Sequence, residues 1–135
     1  MMAPVRPLPA VNDDNCAFWT GGGDGTLMIA CCVDCGYYVH PPTGFCPECE
    51  GRNVVPEAVS GRGDVFSFTI NNKAWLPDLP VPYVLALVEL EEQAGFRLPT
   101  NIVGCDPGEV HIGMKVAVRF EAVEDVYVPL FGPVA

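Results

Sequence analysis

The sequence predicts a mainly β protein, in which a short N-terminal helix precedes a metal-binding ribbon and a small barrel of five antiparallel strands. Two CxxC pairs lie close together in CCVDCGYYVHPPTGFCPECEG, residues 31–51, which is typical of a metal ribbon. Short apolar runs with a period of two follow, and no segment shows a long helical period. The chain holds 14 Gly and 14 Pro among its 135 residues, and they separate these runs as turns do.

The charge balance is strongly acidic. Seven Lys and Arg residues stand against 17 Asp and Glu residues, which gives a formal net charge of −10. Because nucleic-acid backbones are bound by clustered Lys and Arg side chains, this balance argues against a nucleic-acid-binding protein. The mean hydropathy is positive, which favours either an apolar patch covered by another subunit or a well-filled core.

The chain shows no sign of a membrane span or a secretory signal. The longest uninterrupted apolar run, YVLALV at residues 83–88, is far too short to span a bilayer. No charged and then apolar leader opens the chain, so we expect a cytoplasmic protein. The doubled Met before the Pro-rich start suggests a start codon prefixed to a fragment of a longer subunit.

The spacing of the cysteines predicts one structural metal site with Cys32 and Cys35 as the first pair and Cys46 and Cys49 as the second. Each pair can turn both thiolates toward one ion, and four thiolates fill the tetrahedron that zinc takes in closed structural sites. We therefore expect one structural Zn²⁺, although iron in a rubredoxin-like site would use the same ligands. Disulfides are disfavoured without an export signal, and a redox CxxC does not normally come as a matched pair.

Details of the ribbon follow from its glycines and its other thiols. Gly36 can adopt the positive φ that a tight CxxC knuckle needs, whereas Glu50 precedes Gly51, so the second glycine comes one residue late. The remaining thiols are expected to be reduced and partly buried: Cys16, Cys31 and Cys105.

The segment NDDNCAFWTGG predicts a short helix that precedes the ribbon. Asn12 or Asp13 is the expected N-cap, the helix is expected to end at Gly21, and it presents Phe18 and Trp19. A strand over GTLMIACC then leads into the first knuckle. The expected division of the chain is an N-terminal arm and helix over 1–26, a zinc ribbon over 27–55 and a barrel with an apolar tail over 56–135.

Alternating segments after the ribbon predict the barrel strands. They are GRGDVFSFTINN, PYVLALVELEE, FRLPTNIVG and MKVAVRFEAV. An OB-type barrel fits about five short strands, and an SH3-like barrel fits nearly as well. The first segment places Phe66, Phe68 and Ile70 on one face, which is more typical of a core than of a base-stacking platform.

Two apolar segments without a clear period are candidate contact surfaces, namely NKAWLPDLPVPY at residues 72–83 and the tail VYVPLFGPVA. The alternative is that both fold back onto the barrel. Together with the helix, they supply the candidate partner contacts: Phe18, Trp19, Trp75, Leu76, Leu79, Tyr83, Leu130 and Phe131.

No residue is predicted to be catalytic. His40 and His111 have no neighbouring Ser or Cys in a nucleophile context, and His40 is expected to be a ribbon-loop residue. Glu89, Glu91 and Glu92 are expected to form a solvated turn.

The order of these motifs resembles a known family. A short helix with DN and FW, a paired CxxC ribbon, SGRGDVFSFT and GCDPGEVHIGMKVAVRF follow one another over residues 11–128. This order is similar to that of acyl-CoA-associated proteins that join a rubredoxin-like zinc ribbon to an OB-fold. The RPLPAVNDDNCAFW entry and the apolar loop make the chain most similar to the ribbon/OB domain of actinobacterial steroid side-chain hydratase subunits.

The resemblance implies an accessory subunit without catalytic residues of its own. Its expected partner is a thiolase-superfamily enzyme, with a lipid-transfer-protein-like aldolase as the favoured case, on whose dimer it would form a heterotetramer. Cys32, Cys35, Cys46 and Cys49 take the zinc positions of the family. Bridging a thiolase and a hydroxymethylglutaryl-CoA synthase, binding acyl-CoA directly and binding nucleic acid stay open as alternatives; the last two would require basic side chains, which are few.

Overall fold

A computed structural model of the protein describes residues 8–74 and 80–134. A short helix, α1 (Cys16–Thr20), and a 3-10 turn (Gly21–Asp24) precede the strands. The strands are β1 (Leu27–Cys32), β2 (Tyr38–Val39), β3 (Val54–Val59), β4 (Arg62–Asn71), β5 (Tyr83–Leu90), β6 (Arg97–Ile102), β7 (Lys115–Val123) and β8 (Val126–Pro133). Within the described ranges, no helix is long and apolar enough to cross a membrane.

The N-terminal helix begins later than the sequence predicts. Asn15 is the N-cap of α1 and makes no side-chain capping bond. Asn12 instead closes the turn before the helix, because its Oδ1 accepts the N–H groups of Asp14 at 2.9 Å and Asn15 at 3.0 Å. The predicted capping side chain is therefore used one turn earlier, while the helix ends at Gly21 as predicted.

The ribbon is built on a sheet of three strands in the order β2-β1-β3. The central strand β1 shows the predicted alternation, with Leu27, Ile29 and Cys31 buried. Leu27 and Ile29 belong to the same core cluster as the barrel residues. The ribbon and the barrel therefore share one apolar core rather than standing as separate units.

The barrel closes with the strand order β4-β5-β6-β8-β7, which confirms the predicted OB-type barrel of five strands. The prediction of a purely antiparallel barrel is wrong at one pair, because β6 and β8 run parallel where Ile102 faces Phe131. The reason is geometric: strand directions cannot alternate all the way around a closed ring with an odd number of members.

A β-bulge in β4 changes the face that the alternation predicts. The register with β5 shifts between Val65 and Ser67, so one extra residue enters the strand. Val65 is buried, Phe68 and Ile70 pack on the core, and Phe66 is 40% exposed. The predicted common face of Phe66, Phe68 and Ile70 is therefore wrong at Phe66. Its ring lies under the Arg97 guanidinium, and the distance from Cζ of Arg97 to the ring centroid is 3.7 Å.

The C-terminal tail is a barrel strand, which agrees with the alternative that it folds back onto the barrel rather than with a contact surface. Strand β8 fills the gap between β6 and β7, and Phe131 is fully buried in the barrel core. Leu130 is 5% exposed and packs with Val126 and Val128 against Trp19. Pro129 and Pro133 hide this strand from sequence analysis, since proline lacks the N–H that a strand interior normally donates.

Side chains of the β5–β6 turn fix the ribbon on the barrel. Gln93 accepts the N–H of Tyr38 at 2.8 Å and donates to its carbonyl at 3.0 Å, so it binds β2 as a neighbouring strand would. Glu92 accepts the N–H of Ser60 at 2.7 Å at the start of the barrel. These bonds set the orientation of the metal ribbon relative to the barrel.

Candidate metal centre and the neighbouring groove

The two CxxC pairs fold into knuckles with the same hydrogen bonds. In each knuckle, the residue directly after the second cysteine donates its N–H to the carbonyl of the first cysteine. The first cysteine in turn donates its N–H to the carbonyl of the second residue after that pair. The bonds are Gly36 to Cys32 at 2.7 Å and Cys32 to Tyr37 at 2.8 Å, then Glu50 to Cys46 and Cys46 to Gly51, both at 2.8 Å. This repetition turns both pairs toward one point.

The four sulfurs are spaced as a tetrahedral metal site requires. Sγ of Cys32 lies 3.6 Å from Sγ of Cys49, and Sγ of Cys35 lies 3.6 Å from Sγ of Cys46. All four lie within 4.8 Å of one another. A tetrahedron with Zn–S bonds of about 2.3 Å has S···S edges of about 3.8 Å, so the predicted ligands fit one zinc ion. With four protein ligands, such an ion holds the fold and has no open position for catalysis.

The protein surroundings prepare these thiols unequally for ionisation. Desolvation opposes ionisation of Cys46, but hydrogen bonds from the N–H groups of Cys49 and Glu48 and from the thiols of Cys35 and Cys49 together lower its pKa to about 7. The N–H of Tyr37 lowers the pKa of Cys35, yet desolvation and hydrogen bonds with the other thiols raise it to about 12. A dication that replaces the shared protons would stabilise all four thiolates together.

The late glycine of the second knuckle has a steric explanation. Gly36 has the predicted positive φ of 80°, and Glu50 takes the equivalent conformation with a φ of 63°. A Cβ on Gly51 would lie 2.7 Å from Oδ2 of Asp34 and 3.2 Å from Sγ of Cys49. Glycine is therefore needed for close approach at Gly51, and Glu50 bears the left-handed backbone conformation.

The other cysteines lie outside the metal centre. Cys31 is buried, Cys105 is half-buried and Cys16 is exposed, which differs from the prediction that all three are partly buried. Burial raises the pKa of the Cys31 thiol and also that of the Cys105 thiol. Both are poor nucleophiles for that reason.

A groove of about 570 Å³ lies beside the ribbon, between α1, the end of β2 and the barrel. Three predicted contact residues line it: Phe18, Trp19 and Leu130. Tyr83, at the start of β5, and the buried Phe131 do not line it. Trp75, Leu76 and Leu79 lie outside the described residues.

His40 is the groove residue that sequence analysis missed. Its ring centroid lies 4.8 Å from that of Phe18 and 5.9 Å from that of Phe96, so it joins the helix to the barrel. Desolvation lowers its pKa to about 4, and the ring is neutral near pH 7. No sequence signal identifies this position, because its aromatic neighbours come from two distant segments.

The comparisons with known proteins agree with this geometry. Residues 19–55 match the family model of the ChsH2 rubredoxin-like zinc ribbon domain, and residues 56–121 match that of the ChsH2 C-terminal OB-fold domain. A "DUF35 domain-containing scaffold protein" of Methanothermobacter thermautotrophicus is 37% identical, and the match covers 70% of this chain and 71% of the relative. The chain belongs to the DUF35 family of ChsH2-type zinc-ribbon and OB-fold proteins.

Within this DUF35 family, the most informative structural relative is an enzyme complex. The chain matches a chain of the solved "Ltp2-ChsH2(DUF35) aldolase" with a TM-score of 0.80 and 38% identity, covering 93% of this chain and 98% of that one. The family match supports zinc over iron in the four-cysteine site. It also agrees with the OB-type barrel over the SH3-like alternative.

Two hydratase subunits are also similar to this DUF35 chain. The "Probable enoyl-CoA hydratase alpha subunit" of Thermomonospora curvata is 37% identical over 96% of this chain, which spans 40% of that subunit. The "3-oxo-4,17-pregnadiene-20-carboxyl-CoA hydratase alpha subunit" of Mycobacterium tuberculosis is 37% identical over 83% of this chain, which spans 35% of that subunit. The chain thus spans less than half the length of these two relatives.

The two knuckles provide a matched test of backbone strain. Gly36→Ala places a side chain at positive φ in open space, so we expect it to lower the free energy of unfolding by about 1 kcal/mol. Glu50→Gly relieves the same conformation and should raise that free energy by about 0.5–1 kcal/mol. Urea unfolding of the zinc-loaded proteins measures both values, and equal stability of both variants would contradict the strain at Glu50.

The half-buried His40 predicts a specific pH dependence. Because its pKa is about 4 in the folded chain and about 6.5 when unfolded, the unfolded state binds the extra proton, and stability is lost as the pH falls from about 6.5 toward 4. His40→Phe keeps a ring in place and removes this titration. Between about pH 7.5 and about pH 5.5, the difference in free energy of unfolding between His40→Phe and the wild type should shift by about 1 kcal/mol in favour of the variant.

Acid also protonates the zinc ligands, but this effect is common to both proteins and cancels in the comparison. Asp13 and Asp14 line a smaller hollow together with His40, and these carboxyl groups are also able to titrate in acid. The titration of the His40 ring is therefore followed directly by NMR in the wild type. A constant stability difference across this pH range would contradict the assignment of a desolvated, neutral His40.

Proposed function

We propose that this chain is a non-catalytic accessory subunit or domain that binds and supports a thiolase-superfamily enzyme acting on an acyl-CoA thioester. The favoured partner is a lipid-transfer-protein-like aldolase that cleaves the side chain of a steroid CoA ester by a retro-aldol reaction. One observation carries this proposal: the chain matches nearly the full length of a chain in the Ltp2-ChsH2(DUF35) aldolase.

The described side chains support an accessory role. The four thiols that the metal site gathers leave a bound ion no open coordination position. His40 has a pKa of about 4 and is too weak a base for general catalysis near pH 7. His111 is exposed, and its Nδ1 lies 3.1 Å from the carbonyl of Glu109, away from any described nucleophile.

The surface charges support a protein partner over a nucleic acid. Lys115 pairs with Asp64 at 2.7 Å, and Arg62 lies 3.6 Å from Glu91. Arg97 is stacked over Phe66, so this cation and the exposed ring cover one another. Three of the seven basic side chains are thus engaged within the protein, and the net charge of −10 opposes binding of a phosphate backbone.

A second candidate function is a bridge between a thiolase and a hydroxymethylglutaryl-CoA synthase. It is favoured by the archaeal relatives that are named as scaffold proteins, one of them from Methanocaldococcus jannaschii with 34% identity over 70% of this chain. Both candidate functions use the chain as a binding subunit, and they differ in the partner.

The test is co-expression with a lipid-transfer-protein-like aldolase, followed by size-exclusion chromatography with mass determination. We expect a stable complex whose mass corresponds to two copies of this chain on the partner dimer, because the proposed role requires lasting contact. Each protein run alone is the control. Separate elution of the two proteins at micromolar concentration would contradict the aldolase assignment, and a complex with a thiolase instead would favour the bridge.

A further inference from the structure

The groove beside the ribbon is apolar and uncharged. It is formed mainly by apolar and proline side chains, among them Trp19, Leu85, Leu98 and Leu130. None of the described residues that line it is Asp, Glu, Lys or Arg, although the chain carries 24 such residues (7 basic plus 17 acidic). An occupant of this groove is therefore uncharged over the part that it buries.

Most of the polar side chains in the groove are already occupied within the protein. Thr100 donates its hydroxyl to the Pro129 carbonyl at 3.1 Å, and Asn101 donates its amide to the Val84 carbonyl at 2.9 Å. Asn15 donates to the Ala10 carbonyl at 3.0 Å and accepts the N–H of Asn12 at 2.7 Å. These groups shape the wall but have few bonds left for a ligand.

His40 is the exception in this wall. Its ring makes contacts with Phe18 and Phe96, and no hydrogen bond of the described residues involves its nitrogens. Since no fully buried side-chain nitrogen or oxygen of the described residues lacks a partner, these nitrogens are not fully buried. A neutral imidazole offers one donor and one acceptor. Among the histidine, asparagine and threonine side chains that line the groove, His40 is thus the one without a hydrogen bond to the described residues.

We propose that this groove binds the uncharged hydrocarbon part of the partner enzyme's thioester substrate, with one oxygen of that hydrocarbon hydrogen-bonded to the imidazole of His40. The identity of this ligand rests on the proposed function. The hydrocarbon is of fused-ring size and carries a carbonyl or hydroxyl oxygen. The phosphates of coenzyme A lie outside the groove, because its described wall holds no basic side chain.

The size of the groove favours a small molecule over a segment of the partner protein. Its volume of about 570 Å³ lies within the range of about 300–1,000 Å³ that is usual for ligand pockets. A polypeptide segment would bring backbone N–H and C=O groups that need partners. Thr100, Asn101 and Asn15 already direct their donors to carbonyls of this chain, so the groove is poorly suited to satisfy them.

Tryptophan fluorescence gives a direct binding test with progesterone as the uncharged, oxygen-bearing fused-ring probe. The chain has two tryptophans, and Trp75→Phe leaves Trp19 in the groove as the only one. In this zinc-loaded background, we expect a saturable change of Trp19 fluorescence on titration with progesterone. His40→Phe should weaken binding about three- to tenfold, the usual value of one lost hydrogen bond.

A second variant tests the place of binding. Leu85 is 49% exposed and lines the groove, so Leu85→Arg puts a charge into the apolar wall with little effect on folding. It should weaken progesterone binding at least tenfold, because burial of the hydrocarbon would desolvate the guanidinium. Ile112 is 69% exposed and lies outside the groove lining, so Ile112→Arg is the matched control and should bind progesterone as the parent does.

Complex formation with the aldolase, measured for the same variants, separates this inference from the proposed function. A normal complex without saturable progesterone binding overturns the ligand site and leaves the accessory role standing. Loss of the complex in Leu85→Arg without progesterone binding in the parent also overturns it, since the groove would then hold the partner polypeptide. Progesterone binding that Leu85→Arg abolishes supports the ligand site, even where no complex forms and the accessory role fails.

Discussion

The four-cysteine metal site holds the ribbon together and, through β1, links it to the barrel. The ribbon has little core of its own, and binding of a structural zinc ion contributes roughly 10–16 kcal/mol in zinc-finger peptides, enough to decide whether such a segment folds. The two knuckles repeat one pattern of backbone hydrogen bonds, so a single ion can hold both ends of the intervening loop. The ligand Cys32 ends β1, whose Leu27 and Ile29 enter the barrel core. The metal therefore positions more than the ribbon itself.

The junction between ribbon and barrel forms the groove. Gln93 binds β2 through both backbone groups of Tyr38, and this places His40 between the helix and the barrel. The ring of His40 then stays neutral because it is desolvated, which lowers its pKa. An acidic chain thereby acquires an uncharged surface groove. Such a surface suits an accessory protein of acyl-CoA chemistry better than a reader of nucleic acid.

Local patterns explain which parts of the fold the sequence could predict. The spacing of Cys32, Cys35, Cys46 and Cys49 is a local signal, and so is the need for positive φ at Gly36. The bulge at Phe66 has no such signal, because it depends on how β4 meets its neighbouring strands around the closed barrel. Strand β8 was missed because its prolines mask a strand that is defined by its partners.

The groove illustrates the same limit for the candidate site. Phe18, Trp19 and Leu130 were predicted as contact residues because they are large and apolar, but their common position became visible only in three dimensions. His40 was interpreted as a loop residue because its sequence neighbours are prolines, and its aromatic neighbours are distant in the chain. Tertiary contacts, rather than composition, define this part of the molecule.

Support of a partner's chemistry by this chain can be measured by titrating the zinc-loaded chain into a fixed amount of the lipid-transfer-protein-like aldolase. The measured quantity is the rate of retro-aldol cleavage of a steroid CoA ester. We expect no turnover by the chain alone and a rate that rises with added chain until it saturates at one chain per aldolase subunit. Full activity of the aldolase without the chain, or turnover by the chain alone, would contradict this supporting role.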